Sequence, residues 1–352
     1  MLDTLELYVD ITYEACERLY RMTDEAARRV SQNRHPLHKW KKYSYKTIAF
    51  QDKGFLEIGF QKDKKFKRCA IRLKLMPIRL LYPNANVMLT GFHHRNDISF
   101  RFQEFFRSIF HDHVSDLPES LMEWKVRRID YAINLPCAFV NEYIKLFHLG
   151  FRTRACKSPS DYETSFYLTS KEYNVNFYNK LKQLREKGKA KGSDSEIRQE
   201  LRFLPDGILR LEVQCKSKYI YRLIEKGKFG TTQLRYLWDK KMAESILRKI
   251  VKRVVGREDF YFIAESQRKL HEHHGYSFCT QCYYLMNFFV QNPNRSLEEL
   301  KQNFAEKRKL FRLLGKLRKD GINPIPLDVL GDMDAYGKDF ALQNPYQLIQ
   351  FD

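Results

Sequence analysis

Arg128-Ile-Asp130, Asn176-Phe-Tyr178-Asn-Lys180 and Arg210-Leu-Glu212-Val-Gln214 share one pattern, in which polar or charged residues sit two apart with apolar ones between them. Side chains alternate between faces along a strand, so each stretch predicts a strand with one polar face and one apolar face. If the three strands lie in one sheet, Asp130, Tyr178 and Glu212 meet on a single surface. Two carboxylates can hold a divalent cation, and a tyrosine beside them can attack a phosphodiester.

An acid between Ile129 and Tyr131 is costly in a central strand unless it is paired, hydrogen-bonded or bound to metal. A structural reading therefore stands beside the chemical one: Asp130 is the ion-pair partner of Arg128 or Arg210. Glu212, between Leu211 and Val213, is in the same situation. Both acids follow an arginine by two positions, and that repetition favours a site. The Tyr178 phenol ionises near ~10 in water, so it needs a cation, metal or base to become a nucleophile. Lys180, two positions on and on the same face, supplies one cation. The chain has 21 tyrosines, and Tyr167 and Tyr173 near the same turn are rival nucleophiles.

The 352 residues suffice for two domains, and 43% hydrophobic content with 14% aromatics supplies a core. A net charge of +20 favours a polyanionic partner, and nucleic acid is the usual one. No apolar run reaches the ~20 residues needed to cross a bilayer, so no membrane partner is expected. The opening Met1-Leu-Asp-Thr-Leu-Glu-Leu reads as a strand and not as a targeting segment. Seven cysteines, odd in number and mostly isolated, suit reduced thiols and a cytoplasmic location.

Strand patterns occupy 5–11, 46–51, 56–61 and 69–81, with helical spacing over 14–29 and 100–110. A further helix near 140–149 precedes a hairpin of 165–169 and 174–180. The charged stretch 185–206 reads as an exposed insertion before a strand at 208–216. From about residue 227 the pattern is mostly helical: an amphipathic run over 232–255 and a buried, nearly all-apolar helix over 279–291. Ser296 and Glu299 form a capping-box signature, followed by a helix with Leu310, Leu314 and Leu317 inward and Lys307, Arg308, Arg312 and Lys316 outward. Gly321 closes that helix, and 322–327 forms a wing or a short strand. Helix, turn and basic helix are compatible with a helix-turn-helix over 296–327. A basic outer face is also what a merely solvated helix shows. The expected fold is α+β: an antiparallel-sheet domain with crossing helices over 1–226, a helical domain over 227–335, and a tail over 336–352.

The stretch Ser165-Phe-Tyr-Leu-Thr-Ser-Lys-Glu-Tyr-Asn-Val-Asn-Phe-Tyr-Asn-Lys180 resembles the strand-turn-strand of Rep_trans-type rolling-circle replication initiators. That element ends in those proteins in Arg-x-Tyr-[Asp/Asn]-Lys. Arg127-Arg-Ile-Asp-Tyr-Ala-Ile-Asn134 is similar to the family's Arg-[Leu/Ile/Val]-Asp strand, and Leu209-Arg-Leu-Glu-Val-Gln-Cys-Lys216 to its Arg-x-Glu strand. The opening residues also resemble initiators related to the filamentous-phage gene-two protein. Asn176 stands where the family usually has arginine, and Asn134 where some members have a second acid. The resemblance covers roughly residues 1–226. It implies a nickase domain that cuts one strand of a double-stranded DNA origin and stays joined to the 5′-phosphate of the nicked single strand. It further implies Tyr178 as nucleophile, Asp130 and Glu212 as ligands of Mg²⁺ or Mn²⁺, and Arg128, Arg210 and Lys180 around the scissile phosphate. A host helicase and a second copy of the chain are compatible further partners.

Two other readings carry weight. A transfer relaxase of a mobile element uses the same chemistry at another origin. A non-catalytic DNA-binding replication or regulatory protein keeps the basic surface and lacks metal-dependent cleavage. His111-Asp-His113 lacks the apolar middle residue that would point both histidines off one strand face. His271, His273 and His274 with Cys279 and Cys282 match a zinc site in composition alone.

Overall fold

The computed structural model describes residues 1–352 except 33, 64, 66, 67, 153–163, 192–206, 332, 334, 335, 338 and 352, and the side chains of 112–114 and 187–191 also lie outside the description. The three quoted stretches become β6 (Lys125–Pro136), β8 (Tyr173–Asn179) and β9 (Ile208–Lys216). They join β1 (Leu2–Ile11), β2 (His38–Lys41), β3 (Ser44–Thr47), β4 (Phe55–Asp63), β5 (Arg68–Leu75) and β7 (Ser165–Thr169). The result is one nine-stranded sheet in the order β2-β3-β4-β5-β1-β6-β9-β8-β7. Every pairing in it is antiparallel. With twelve helices among the described residues, the protein is a mixed α/β protein.

Alternation decides what each face buries. Ile129, Tyr131 and Ile133 of β6 enter the core together with Leu209, Leu211 and Val213 of β9 and Val175 and Phe177 of β8. Helix α1 (Tyr13–Val30) covers β4 and β5, α4 (Val140–Gly150) covers β7 and β8, and a later helix, Lys240–Val255, covers β6 and β9. The start of α1 is set by Thr12, whose hydroxyl accepts the Ala15 N–H at 3.1 Å. Its Ala15, Cys16, Leu19, Thr23 and Ala27 then recur on one buried stripe. The Tyr131 hydroxyl, deep in the apolar layer, is satisfied by the carbonyl of Leu237 at 2.8 Å. Residues on both sides of position 226 contribute to one continuous apolar core.

After α1 the helices are α2 (Ile78–Leu81), α3 (Arg95–Phe110), α4, α5 (Lys180–Lys191), α6 (Ser217–Glu225), α7 (Leu234–Leu237) and α8 (Lys240–Val255). Then come α9 (Ile263–His271), α10 (Tyr276–Gln291), α11 (Leu297–Asn303) and α12 (Lys307–Lys319). Several sequence expectations need correction. The strand expected over 69–81 stops at Leu75, because Pro77 cannot donate to a ladder and a helical turn follows it. The strand expected over 46–51 is β3, ending at Thr47. The run over 232–255 is two helices, divided where the Asp239 side chain caps α8 by accepting the Met242 N–H at 2.7 Å. Helix α10 is not wholly buried: Tyr276, Tyr283 and Tyr284 lie exposed on it. The segment 322–327 is no wing, since all six residues are buried and Ile322 makes a single parallel bridge to Asp259. Part of the expected insertion, up to Lys191, is helix α5; 192–206 lie outside the described residues. No helix among the described residues is long and apolar enough to cross a membrane.

Candidate active site

The polar faces of β6, β9 and β8 form one surface because their register aligns them. Ala132 and Asn176 lie opposite Glu212 on either side, Asp130 opposes Gln214, and Tyr178 opposes Arg210. Asp130 and Glu212 thus converge, and β1 brings a third acid that sequence reasoning did not select. Asp3, Asp130 and Glu212 each place a carboxylate oxygen within 4.8 Å of the others. The Asp3 position depends on a register shift between Leu2 and Leu5 in the pairing of β1 with β6. Asp3 and Glu6 are three apart, so strict alternation puts them on opposite faces; with the irregularity Asp3 reaches Arg210 and Glu6 reaches Arg128. The available signal was a first strand carrying three acids, Asp3, Glu6 and Asp10, among mostly apolar residues.

Those arginines are built into the site. Arg128 grips both oxygens of Asp130, at 2.8 and 2.5 Å, and reaches Glu6 Oε1 at 3.0 Å. Arg210, fully buried, donates to Asp3 Oδ1 at 2.8 Å, to Asn134 Oδ1 at 2.7 Å and to the carbonyl of Val87. The same carbonyl accepts from Asn134 Nδ2 at 3.0 Å, so the loop carrying Val87 is tied to the site from two strands. Val87 also packs with Leu181 and Leu184 of α5 and Ile208 of β9. The structural reading of Asp130 as a partner of Arg128 therefore holds, and it coexists with the acidic cluster.

Tyr178 lies 6% exposed, and its hydroxyl donates to Glu212 Oε2 at 3.3 Å. Glu212 Oε1 accepts from Gln214 Nε2 at 2.7 Å. Lys180, 5% exposed, sits 5.9 Å from the Tyr178 ring centroid and donates to Gln183 Oε1 at 3.2 Å. Of the rival tyrosines, Tyr167 accepts a hydrogen bond from Asn174 and Tyr173 lies on the core face. Burial pushes the Asp130 carboxyl well above the usual carboxylate range, with Glu212 adding to the rise and Arg128 opposing it. Glu212 rises for the same reason, with the charge of Asp3 next. Burial likewise pushes the Tyr178 phenol up, although Arg210 opposes the rise.

The donor set fits a hard divalent cation. Fully ionised, the four carboxylates (Asp3, Glu6, Asp130 and Glu212) would face two guanidiniums and leave two negative charges across these six side chains. The arginines already hold Asp130 and Asp3, so an ion would share those oxygens with them.

The expected DNA-contacting residues Lys307, Arg308, Arg312 and Lys316 are all exposed on α12, with Phe311 51% exposed between them. The helix before it, α11, has the expected capping box: Ser296 Oγ accepts the Glu299 N–H, and Glu299 accepts the Ser296 N–H. Gly321, at φ +71°, closes α12, and the Ile322 N–H returns to Leu317. The histidine-cysteine group forms no ligand cluster here: His274 bonds Asp320 at 2.8 Å, and Cys279 and Cys282 are buried along α10. Comparison with family models, curated proteins and solved structures finds no match to this chain.

Proposed function

We propose that the protein is a metal-dependent, site-specific DNA nicking-closing enzyme of the rolling-circle replication-initiator kind, its sheet being the nickase domain. The observation that carries this reading is a tyrosine hydroxyl 3.3 Å from one member of a three-carboxylate cluster, in a chain of net charge +20. Asp3, Asp130 and Glu212 would hold Mg²⁺ or Mn²⁺, which when bound supplies positive charge opposite the developing charge on the phosphoryl oxygens.

The chain's own residues supply the rest. Tyr178 Oη attacks phosphorus in line; the Tyr–O–P bond forms as the P–O3′ bond breaks. The phenol proton passes to Glu212 Oε2, the oxygen it already faces at 3.3 Å, and the departing 3′ oxygen takes a proton from water. Lys180 steadies the phenolate, and closing is the reverse attack by the 3′ hydroxyl. Arg128, partly exposed, would turn from carboxylate to phosphate, a geometry guanidiniums match well, and Arg210, fully buried, would reach the phosphate once Asp3 turns to the ion. The exposed cations of α12 would hold the origin duplex.

A second reading, DNA binding without nicking, is favoured by the burial of Tyr178 itself. Incubating the protein with Mn²⁺ and a supercoiled plasmid carrying the DNA that flanks its own coding sequence separates them. Nicked circles with protein on the 5′ end, absent for Tyr178→Phe, are the expected result. Intact circles with the wild-type chain, under conditions where it binds that plasmid, would leave the non-catalytic reading.

A further inference from the structure

One step along the polar face from the carboxylate cluster, a groove of about 230 Å³ runs over β1, β5 and β4 to the edge hairpin β2–β3. Glu6, which accepts from Arg128, is part of its wall, so the groove begins where the site ends. Gly59 of β4 is among the residues that line it. Arg72, Lys74 and Arg127 line it beside Glu6 and Glu57, and among the described residues those two acids are ion-paired elsewhere, Glu6 with Arg128 and Glu57 with Lys46. Arg72 is half-buried, and desolvation and the charge of Arg127 depress its pKa against the opposing charges of Glu6 and Glu57. Three cations facing two carboxylates that other cations already hold leave positive charge for an anion to meet.

The far end of the groove is aromatic. Trp40 of β2 is 40% exposed, whereas the other two tryptophans, Trp124 and Trp238, are buried. Its ring has Lys41 Nζ 4.9 Å and Lys46 Nζ 5.4 Å from the centroid. The hairpin turns through Lys42 and Tyr43, the latter at φ +64°, and all four residues of β2 are exposed. A flat ring flanked by cations, beside the groove's arginines, combines base stacking with phosphate contact. Duplex DNA hides the faces of its bases within the stack and offers none to Trp40.

We infer that this groove is a binding track for single-stranded DNA, with a base stacked on Trp40 and the backbone held by Arg72, Lys74 and Arg127. It extends the nicking reading by giving the opened strand a path away from the cluster, but binding here needs neither metal nor Tyr178.

The test is done in EDTA, so that a failure to nick and a failure to bind are separate results. Trp40 is the only exposed tryptophan among the described residues, and a thymidine homopolymer of about 20 nucleotides should quench its emission. Trp40→Phe should abolish that quenching. Trp40→Ala should weaken binding of the same oligonucleotide, labelled and followed by anisotropy, about 5- to 100-fold. Arg72→Gln with Arg127→Gln should flatten the slope of log affinity against log salt by up to about 1.4. Quenching by a duplex of equal length and not by the single strand would overturn the assignment. So would unchanged affinity in both Trp40→Ala and the arginine double variant.

Discussion

At the scale of single residues, the buried acids make a prediction about pH. A carboxyl whose folded pKa is raised stabilises the fold while protonated, below its unfolded pKa, and that contribution is lost as pH rises through the folded pKa. Asp130 and Glu212 are both raised, so the ion-free protein weakens as they ionise. On the proposed reading, a divalent cation held by the ionised set would offset that loss. The rise in Tm on adding Mn²⁺, read by differential scanning fluorimetry, should therefore be larger at about pH 8 than at about pH 5. Asp3→Asn should remove most of it. In the ion-free state Tyr178→Phe should change stability by no more than about 1 kcal/mol, since it deletes one long hydrogen bond. Urea unfolding checks that value, and a large loss would mean the phenol has a structural task. Asp130, Glu212 and Tyr178 were legible because alternation with apolar neighbours is a local signal. Asp3 was not, because a register irregularity between two strands far apart in sequence decides which way it points.

At the scale of elements, the C-terminal half is held by a buried ion cluster that no sequence pattern announced. Glu258, 2% exposed, meets Arg152 Nη1 at 2.8 Å and Arg318 Nε at 3.4 Å, joining the end of α4 to α12. Gly256 makes room for it: at φ +85° it ends α8, and a side chain there would strike Arg152 and Glu258. Glu258→Ala strands Arg152 in a low-dielectric setting and should cost about 3–5 kcal/mol in chemical denaturation. Ser296→Ala, losing one cap of α11, should cost about 1 kcal/mol by the same measurement. The helices themselves were readable from their caps and stripes. The exposed tyrosines of α10 were not, because an apolar run shows no period that separates its two faces.

At the scale of the whole molecule, charge placement makes the remaining prediction. Replacing Lys307, Arg308, Arg312 and Lys316 by alanine should weaken binding to duplex DNA and lower its salt slope by up to about 0.9 for each phosphate that is no longer neutralised, measured by filter binding. A slope unchanged in that variant would make α12 an ordinary solvated surface. The broad α+β character was readable; the extent of the sheet was not, since the short, fully exposed β2 has no apolar face to mark it. The order of the strands has one more consequence. From β6, which carries Asp130, to β2, which carries Trp40, is five strand spacings, roughly 24 Å. Hydrogen-bonded strands do not stretch, so on the nicking reading the sheet is a ruler. It sets how much single strand must lie between the cut phosphate and the first stacked base, and oligonucleotides shorter than that interval should be cut without being measured.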